Sequence, residues 1–165
     1  MHLLDANVLI EAARTYYPLD IARGYWEWVE ASHARGMVAS VAAVREEIIH
    51  GDDALAEWAR TVPTSFWIPE SDETVAAIGV LATWVERPDS PFTRAARNEF
   101  LDSADLLLIA EGMAHRHVVV TRELSHPESK KRVLIPDACL PHGVRWENPF
   151  DVYRALGLRL ERPSP

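Results

Sequence analysis

Apolar residues fall into short unbroken runs, separated by longer stretches in which they recur every three or four positions. The first run, residues 2–4, ends at Asp5 and predicts a buried strand. Asp5 or Asn7 then caps a helix carrying Val8, Leu9, Ile10, Ala12 and Ala13. Ile21, Tyr25, Trp28 and Val29 predict a helix over residues 20–34, stopped by Gly36, and residues 37–39 form a second apolar run. Ser40 starts a helix that buries Val41, Val44, Ile48 and Ile49, and Asp52 and Asp53 cap another that ends before Pro63. Ser71 opens a long helix through Val75, Ile78, Leu81 and Val85 to Pro88. Residues 89–97 hold turn residues, with Pro91 suited to the first position of a helix. Ser103 caps a helix over residues 104–115 so continuously apolar that burial on most sides is expected. Val118, Val119, Val120 and Thr121 give the strongest strand signal. Residues 133–135 read as extended, 144–146 as a strand, and Pro149 begins a last helix closed by Gly157.

Short apolar strands alternating with helices predict an α/β fold, a parallel sheet flanked by helices on both faces. At 165 residues the chain suits one domain, expected over residues 1–158, with a flexible C-terminal tail at 159–165. Cys139 is the single cysteine, which excludes an internal disulfide and a multi-cysteine metal cluster and suits the reducing cytoplasm. The opening residues lack a basic n-region and a long apolar run, so no signal peptide is expected, and no membrane span is expected either. The net charge of −8, from 25 acids against 17 Lys and Arg, argues against a surface that grips nucleic acid over its whole extent. It leaves room for a nuclease that gathers acids around metal ions.

In an open α/β sheet, ligands bind beyond the carboxyl ends of the strands. Asp5 directly follows the first strand, and Glu123 lies two residues beyond Thr121. Glu46 and Glu47 sit on the helix after the second strand, and Asp105 sits in the first turn of the helix before Val118. Each acid alone has a structural reading: Asp5 as a cap, Asp105 as a charge complementing the helix dipole, Glu123 as a loop residue, one of Glu46 and Glu47 as solvated surface. Jointly they converge on one rim. Two such charges 4 Å apart repel by roughly 4 kcal/mol at an effective dielectric near 20, so convergence calls for a counter-cation. Oxygen ligands without a His or Cys cluster favour Mg²⁺ or Mn²⁺.

These residues resemble the PIN-domain nucleases, in particular VapC-type toxins of toxin–antitoxin pairs. Leu3-Leu4-Asp5-Ala6-Asn7 is similar to the family's first motif and Val44-Arg45-Glu46-Glu47-Ile48-Ile49-His50-Gly51 to its second, a register that selects Glu47 over Glu46. Ala104-Asp105 with Ile109-Ala110 resembles the third, and Val118-Val119-Val120-Thr121-Arg122-Glu123 the fourth. The fourth departs from the usual pattern, in which Asp follows Thr-Asn and a second Asp often comes two residues later. Residues from Asp137 resemble the part after that second Asp, which makes 124–136 an insertion and leaves Glu123 or Asp137 to complete the site. The segments around Trp26, Trp58 and Pro149 place the chain nearer a poorly characterised PIN-like branch than a typical VapC.

The resemblance implies a PIN-like fold and a Mg²⁺- or Mn²⁺-dependent endoribonuclease, the toxin of a type II pair, hydrolysing RNA phosphodiesters through a metal-activated water. Asp5, Glu47, Asp105 and Glu123 are its implied catalytic residues; Asp5, Asp105 and Glu123 are metal ligands, with Asp137 in reserve. It also implies a homodimer and a cognate antitoxin. Arg116, Arg122, Lys130, Lys131 and Arg132 are the candidate RNA contacts near the site, with Arg94 and Arg97 a second patch. The alternative is a catalytically silent PIN-fold module that binds RNA or protein. A haloacid-dehalogenase-type phosphatase fits less well, because Asn7 stands where that family's second Asp is expected. Trp26, Trp28, Trp58 and Trp84 read as packing residues and Cys139 as a buried thiol.

Overall fold

Three consecutive buried valines, Val118–Val120, can be covered on both sides only at the centre of a layered structure, and a computed structural model places them there. It describes residues 1–160; the part of the expected tail at 161–165 lies outside the described residues. The strands are β1 (His2–Leu4), β2 (Val38–Val41), β3 (Trp67–Ile68), β4 (Val118–Val120) and β5 (Trp146–Glu147). The helices are α1 (Ala6–Glu11), α2 (Arg23–Ala34), α3 (Ala42–Ile49), α4 (Ala54–Thr61), α5 (Asp72–Glu86), α6 (Arg94–Leu101), α7 (Ala104–His115), α8 (Ile135–Cys139) and α9 (Pro149–Ala155). A π-helical turn, Ala12–Tyr16, continues α1, and short 3₁₀ turns occupy Thr64–Phe66 and Leu140–His142. No helix among the described residues is long and apolar enough to cross a membrane.

All neighbouring strands are parallel, in the order β3-β2-β1-β4-β5. Leu3 lies opposite Ala39 on one side and Val119 on the other. The chain steps from β1 outward to β2 and β3, then returns across the sheet to β4 and β5. The direction of winding therefore reverses between β1 and β4, the place where an α/β sheet opens a crevice at its carboxyl end. Leu3, Leu4, Val38, Val119 and Val120 are fully buried, which covers both faces of the central strands.

The α/β fold expected from the alternation of runs is borne out. The helix expected over 104–115 is α7, and the caps expected at Asp53 and Ser71 accept bonds from Ala56 N and Thr74 N. Four local expectations are corrected. Ser40 does not start a helix: it is the third residue of β2, and its hydroxyl donates to Leu4 O at 2.6 Å, tying β2 to the carboxyl end of β1. Residues 67–68, read as part of no element, form edge strand β3. Pro91 does not open a helix; Thr93 caps α6 by accepting from Ala96 N. Residues 133–135 are not a strand, since Ile135 begins α8.

The aromatic residues pack as expected. Trp26 and Trp58 are buried with ring centroids 4.8 Å apart, and Trp28 and Trp84 lie half-buried against the same core. Tyr25 of α2 and Tyr153 of α9 share a buried hydroxyl–hydroxyl hydrogen bond of 2.7 Å, and Tyr17 stacks on Tyr25 at 4.3 Å. Cys139 is fully buried, and burial alone pushes its thiol pKa up to about 12, so it carries no nucleophile.

Candidate active site

The backbone of β1 delivers Asp5 to the crevice between β1 and β4. Asp5 N donates to Val120 O at 3.1 Å, and the next residue begins α1. The Asp5 side chain caps that helix, accepting from Asn7 N at 3.3 Å, and its other oxygen accepts from the Thr121 hydroxyl at 3.0 Å. Thr121 in turn accepts from Glu123 N at 3.1 Å. One hydroxyl at the end of β4 thus fixes both the first carboxylate and the turn that leads to the fourth. Asp5 was expected either to cap the helix or to face a ligand; it does the first while lining the cavity where the second would occur.

That cavity, about 970 Å³, is lined by Asp5 and Asn7, by Glu46 and Glu47 of α3, by Glu99 and Asp102 at the end of α6, by Asp105 of α7, and by Arg132. Ser103 occupies the cap position of α7, yet its hydroxyl turns back to Phe100 O at 2.8 Å, so it closes the junction of α6 and α7 and sets Asp105 at the rim. The structure therefore brings Asp5, Glu47 and Asp105 to one hollow. It adds Glu99 and Asp102, which lie between the turn-rich stretch 89–97 and Ser103, where the apolar pattern alone marks no element. The signal was present: Thr93 followed three residues later by Ala96, with Phe100 one turn further on, is a cap before an apolar face.

Glu123 does not line the hollow but stands behind it. Its side chain is 12% exposed, one oxygen accepts from Ile135 N at 2.7 Å, and the other meets Arg132 Nη2 at 2.9 Å. Its field still reaches both aspartates. Asp137, the reserve ligand, is elsewhere. Its carboxylate accepts from the Ser125 hydroxyl at 2.6 Å and from His126 N at 3.0 Å, so it closes the loop after β4 and has no place in the cavity lining. A carboxylate spent on a backbone amide and a hydroxyl is a loop staple.

The electrostatics follow from burial and crowding. Asp5 is 1% exposed, and desolvation, reinforced by the charge of Asp105, raises its pKa to about 7 against the opposing bonds from Thr121 and Asn7. Asp105 is raised to about 6, by desolvation first and by Glu123, Glu47 and Glu99, with the guanidinium of Arg132 pulling the other way. Two carboxylates on one cavity that both resist ionisation need a cation or a proton. Among the described residues the lining offers hard oxygen donors, mainly carboxylates, and no His or Cys, which fits Mg²⁺ or Mn²⁺ better than zinc. Among the described residues, no three His, Cys, Asp or Glu are gathered into a finished ligand set.

The basic residues divide. Arg132 lines the cavity; Lys130 and Lys131 line a separate hollow with His126, to which Arg132 also contributes. Arg122 is held by Glu11 and by the Tyr16 hydroxyl, with its guanidinium over the Tyr16 ring. Arg97 pairs with Glu86 at 3.4 Å. Arg116, expected near the site, ends α7 at the opposite end of that helix from Asp105, so the length of α7 separates it from the cavity.

The family described as a domain of unknown function (DUF4411) matches residues 2–160, and the chain belongs to it. No curated protein matches the chain in sequence. Among solved structures the fold is similar to a chain in the crystal structure of VapBC2 from Rickettsia felis bound to a DNA fragment from their promoter. The identity is 16%, the match covers 89% of this chain and 97% of that one, and the TM-score is 0.54. This is a likeness of fold, and it agrees with the PIN-like architecture expected from the sequence.

Proposed function

We propose that this DUF4411 chain is a Mg²⁺- or Mn²⁺-dependent endoribonuclease and the toxin of a type II toxin–antitoxin pair, acting in the cytoplasm. One observation carries the reading: Asp5, buried, and Asp105, half-buried, line a single cavity where the sheet reverses its winding, and burial with nearby acidic charge pushes both carboxyls up, to about 7 and about 6. Asp5 and Asp105 would hold the cation, with Glu47 on the same wall and Glu123 supporting from behind. A bound divalent ion would polarise the phosphodiester and lower the pKa of the water that attacks it.

The protein's own residues do the rest. Thr121 orients the Asp5 carboxylate, and the α6–α7 junction fixes Asp105 opposite it. Glu47, at the exposed lip, is placed to accept a proton from solvent-side water. The cavity is open and broad enough for a nucleotide segment, and Arg132 supplies a positive group beside the acids. The likeness to a VapBC2 chain supports an antitoxin partner, and the sequence resemblance supports a homodimer. The silent-module reading would gain if an arginine held Asp105; the ion pair of Arg132 goes to Glu123 instead.

The test is cleavage of one structured and one unstructured RNA with Mg²⁺, with Mn²⁺ and with EDTA, using Asp5→Asn as control. Metal-dependent cuts that vanish in Asp5→Asn support the enzyme. Absence of cutting, or equal cutting by the variant, refutes it.

A further inference from the structure

Arg132 occupies an unusual position for a surface arginine. It belongs to the segment 124–136, which the motif pattern marks as an insertion, and yet it reaches back to line the acidic cavity beside Asp5 and Asp105. Its Nη2 pairs with Glu123 Oε1 at 2.9 Å, and the guanidinium is 51% exposed on the cavity side of a carboxylate that is nearly buried. The second oxygen of Glu123 is fixed by Ile135 N at 2.7 Å, so the acceptor cannot follow if the guanidinium moves. Its charge also reaches Asp105, where it opposes the carboxylates around that group. Among the described residues no Lys and no other Arg lines this cavity, although Glu46, Glu47, Glu99, Asp102, Asp105 and Asp5 all do.

We propose that Arg132 is the resident counter-cation of the acidic cavity: paired with Glu123 at its edge, its positive charge opposes a divalent ion at Asp5 and Asp105 and sets the ion concentration at which the site fills. This rests on the metal-site reading above. A guanidinium is always charged and cannot leave by losing its proton, so only displacement removes it. Its partial exposure makes displacement easy, because the released group is solvated at once. The loop insertion thereby acts on the site it overhangs: Arg132 offsets part of the acidic charge and yields to an ion.

The experiment is isothermal titration of the full chain with MnCl₂, without RNA, on the wild type and on Arg132→Gln, Arg132→Lys and Lys131→Gln. Loss of one positive charge within a few ångströms of a dication strengthens its binding, and Arg132→Gln is expected to tighten Mn²⁺ on the order of tenfold or more. Arg132→Lys keeps the charge and stays within about twofold of wild type, as does Lys131→Gln, whose charge lies in the neighbouring hollow. Equal or weaker binding by Arg132→Gln, or the same gain from Lys131→Gln, overturns the proposal while leaving the metal site standing. If neither wild type nor Arg132→Gln binds Mn²⁺, the metal-site reading falls and this one falls with it.

Discussion

Replacing Asp5 by Asn should stabilise the ion-free protein, against the usual outcome of changing a buried polar residue. The Asp5 carboxyl has a pKa of about 7 in the fold against an ordinary 3.8, a difference of about 3. Each unit is worth about 1.4 kcal/mol, so ionised Asp5 costs the fold on the order of 4 kcal/mol once the pH passes 7. Below pH 4 the group is protonated in both the folded and unfolded chain, and the cost is absent. As the pH climbs, the unfolded chain releases this proton first and stability falls, until the folded group has also ionised. Asparagine has the same shape and no charge. Its oxygen accepts from Asn7 N, and its amide donates to the Thr121 hydroxyl, which keeps the bond from Glu123 N but loses the acceptor for its own proton, a cost of about 1–3 kcal/mol that is smaller than that of the charge removed. In EDTA, thermal melts from pH 4 to 9 should lie close together at the acid end, diverge as the pH climbs from 4 to 7, and keep a constant gap above that. The Asn variant should melt higher at pH 8, by up to on the order of 10 °C for a chain of this length. Saturating Mn²⁺ should raise the wild-type melting point and leave the variant where it was. A variant that melts at or below wild type at pH 8 refutes the claim that burial and Asp105 penalise this carboxylate.

Thr121→Val deletes the hydroxyl that donates to Asp5 and accepts from Glu123 N; urea unfolding should show a loss of about 1–3 kcal/mol, and the pH dependence of stability should move to higher pH as Asp5 loses a bond to its charged form. Glu47→Gln should weaken Mn²⁺ binding severalfold by titration while Glu46→Gln has a smaller effect, because the charge of Glu47 reaches Asp105 and Glu46 pairs with Arg45 at 3.2 Å. Asp137→Ala should leave Mn²⁺ affinity unchanged and speed limited proteolysis near Ser125 and His126, whose bonds to that carboxylate are lost. A drop in Mn²⁺ affinity for Asp137→Ala would return it to the ligand set.

The large features of the fold were written in the chain because they rest on local signals strong enough to stand alone. Val118–Val120 has no alternative to a buried strand, and α7 carries a capping serine, an unbroken apolar body and a clear end. Asp5, Glu47 and Asp105 were legible because each sits a short, fixed distance from such an element. Ser40 was misread because a serine before an apolar run looks like a cap from sequence, whereas its partner, Leu4 O, comes from another strand. Strand β3 has two residues, too few for any period to show. Glu99 and Asp102 were lost with α6, whose half-polar sequence is made helical by Thr93 at one end and by burial of Ala96 and Phe100. Asp137 was misplaced by an analogy of motif order, since nothing in its neighbourhood foretold that the insertion would fold back on it. Arg132 was named for its charge, and its pairing with Glu123 depends on that same fold-back.

The bond between Thr121 and Asp5 joins residues 116 positions apart. Asp5 leaves the ribosome that many residues ahead of Thr121, and its carboxylate is held in place only after β4 has been synthesised and inserted beside β1. The cavity wall waits longer still, for Arg132 and the α8 segment that anchors Glu123. A nascent chain that has not yet reached α8 therefore presents no finished cavity, and whatever chemistry the cavity performs waits on residues made long after its first carboxylate.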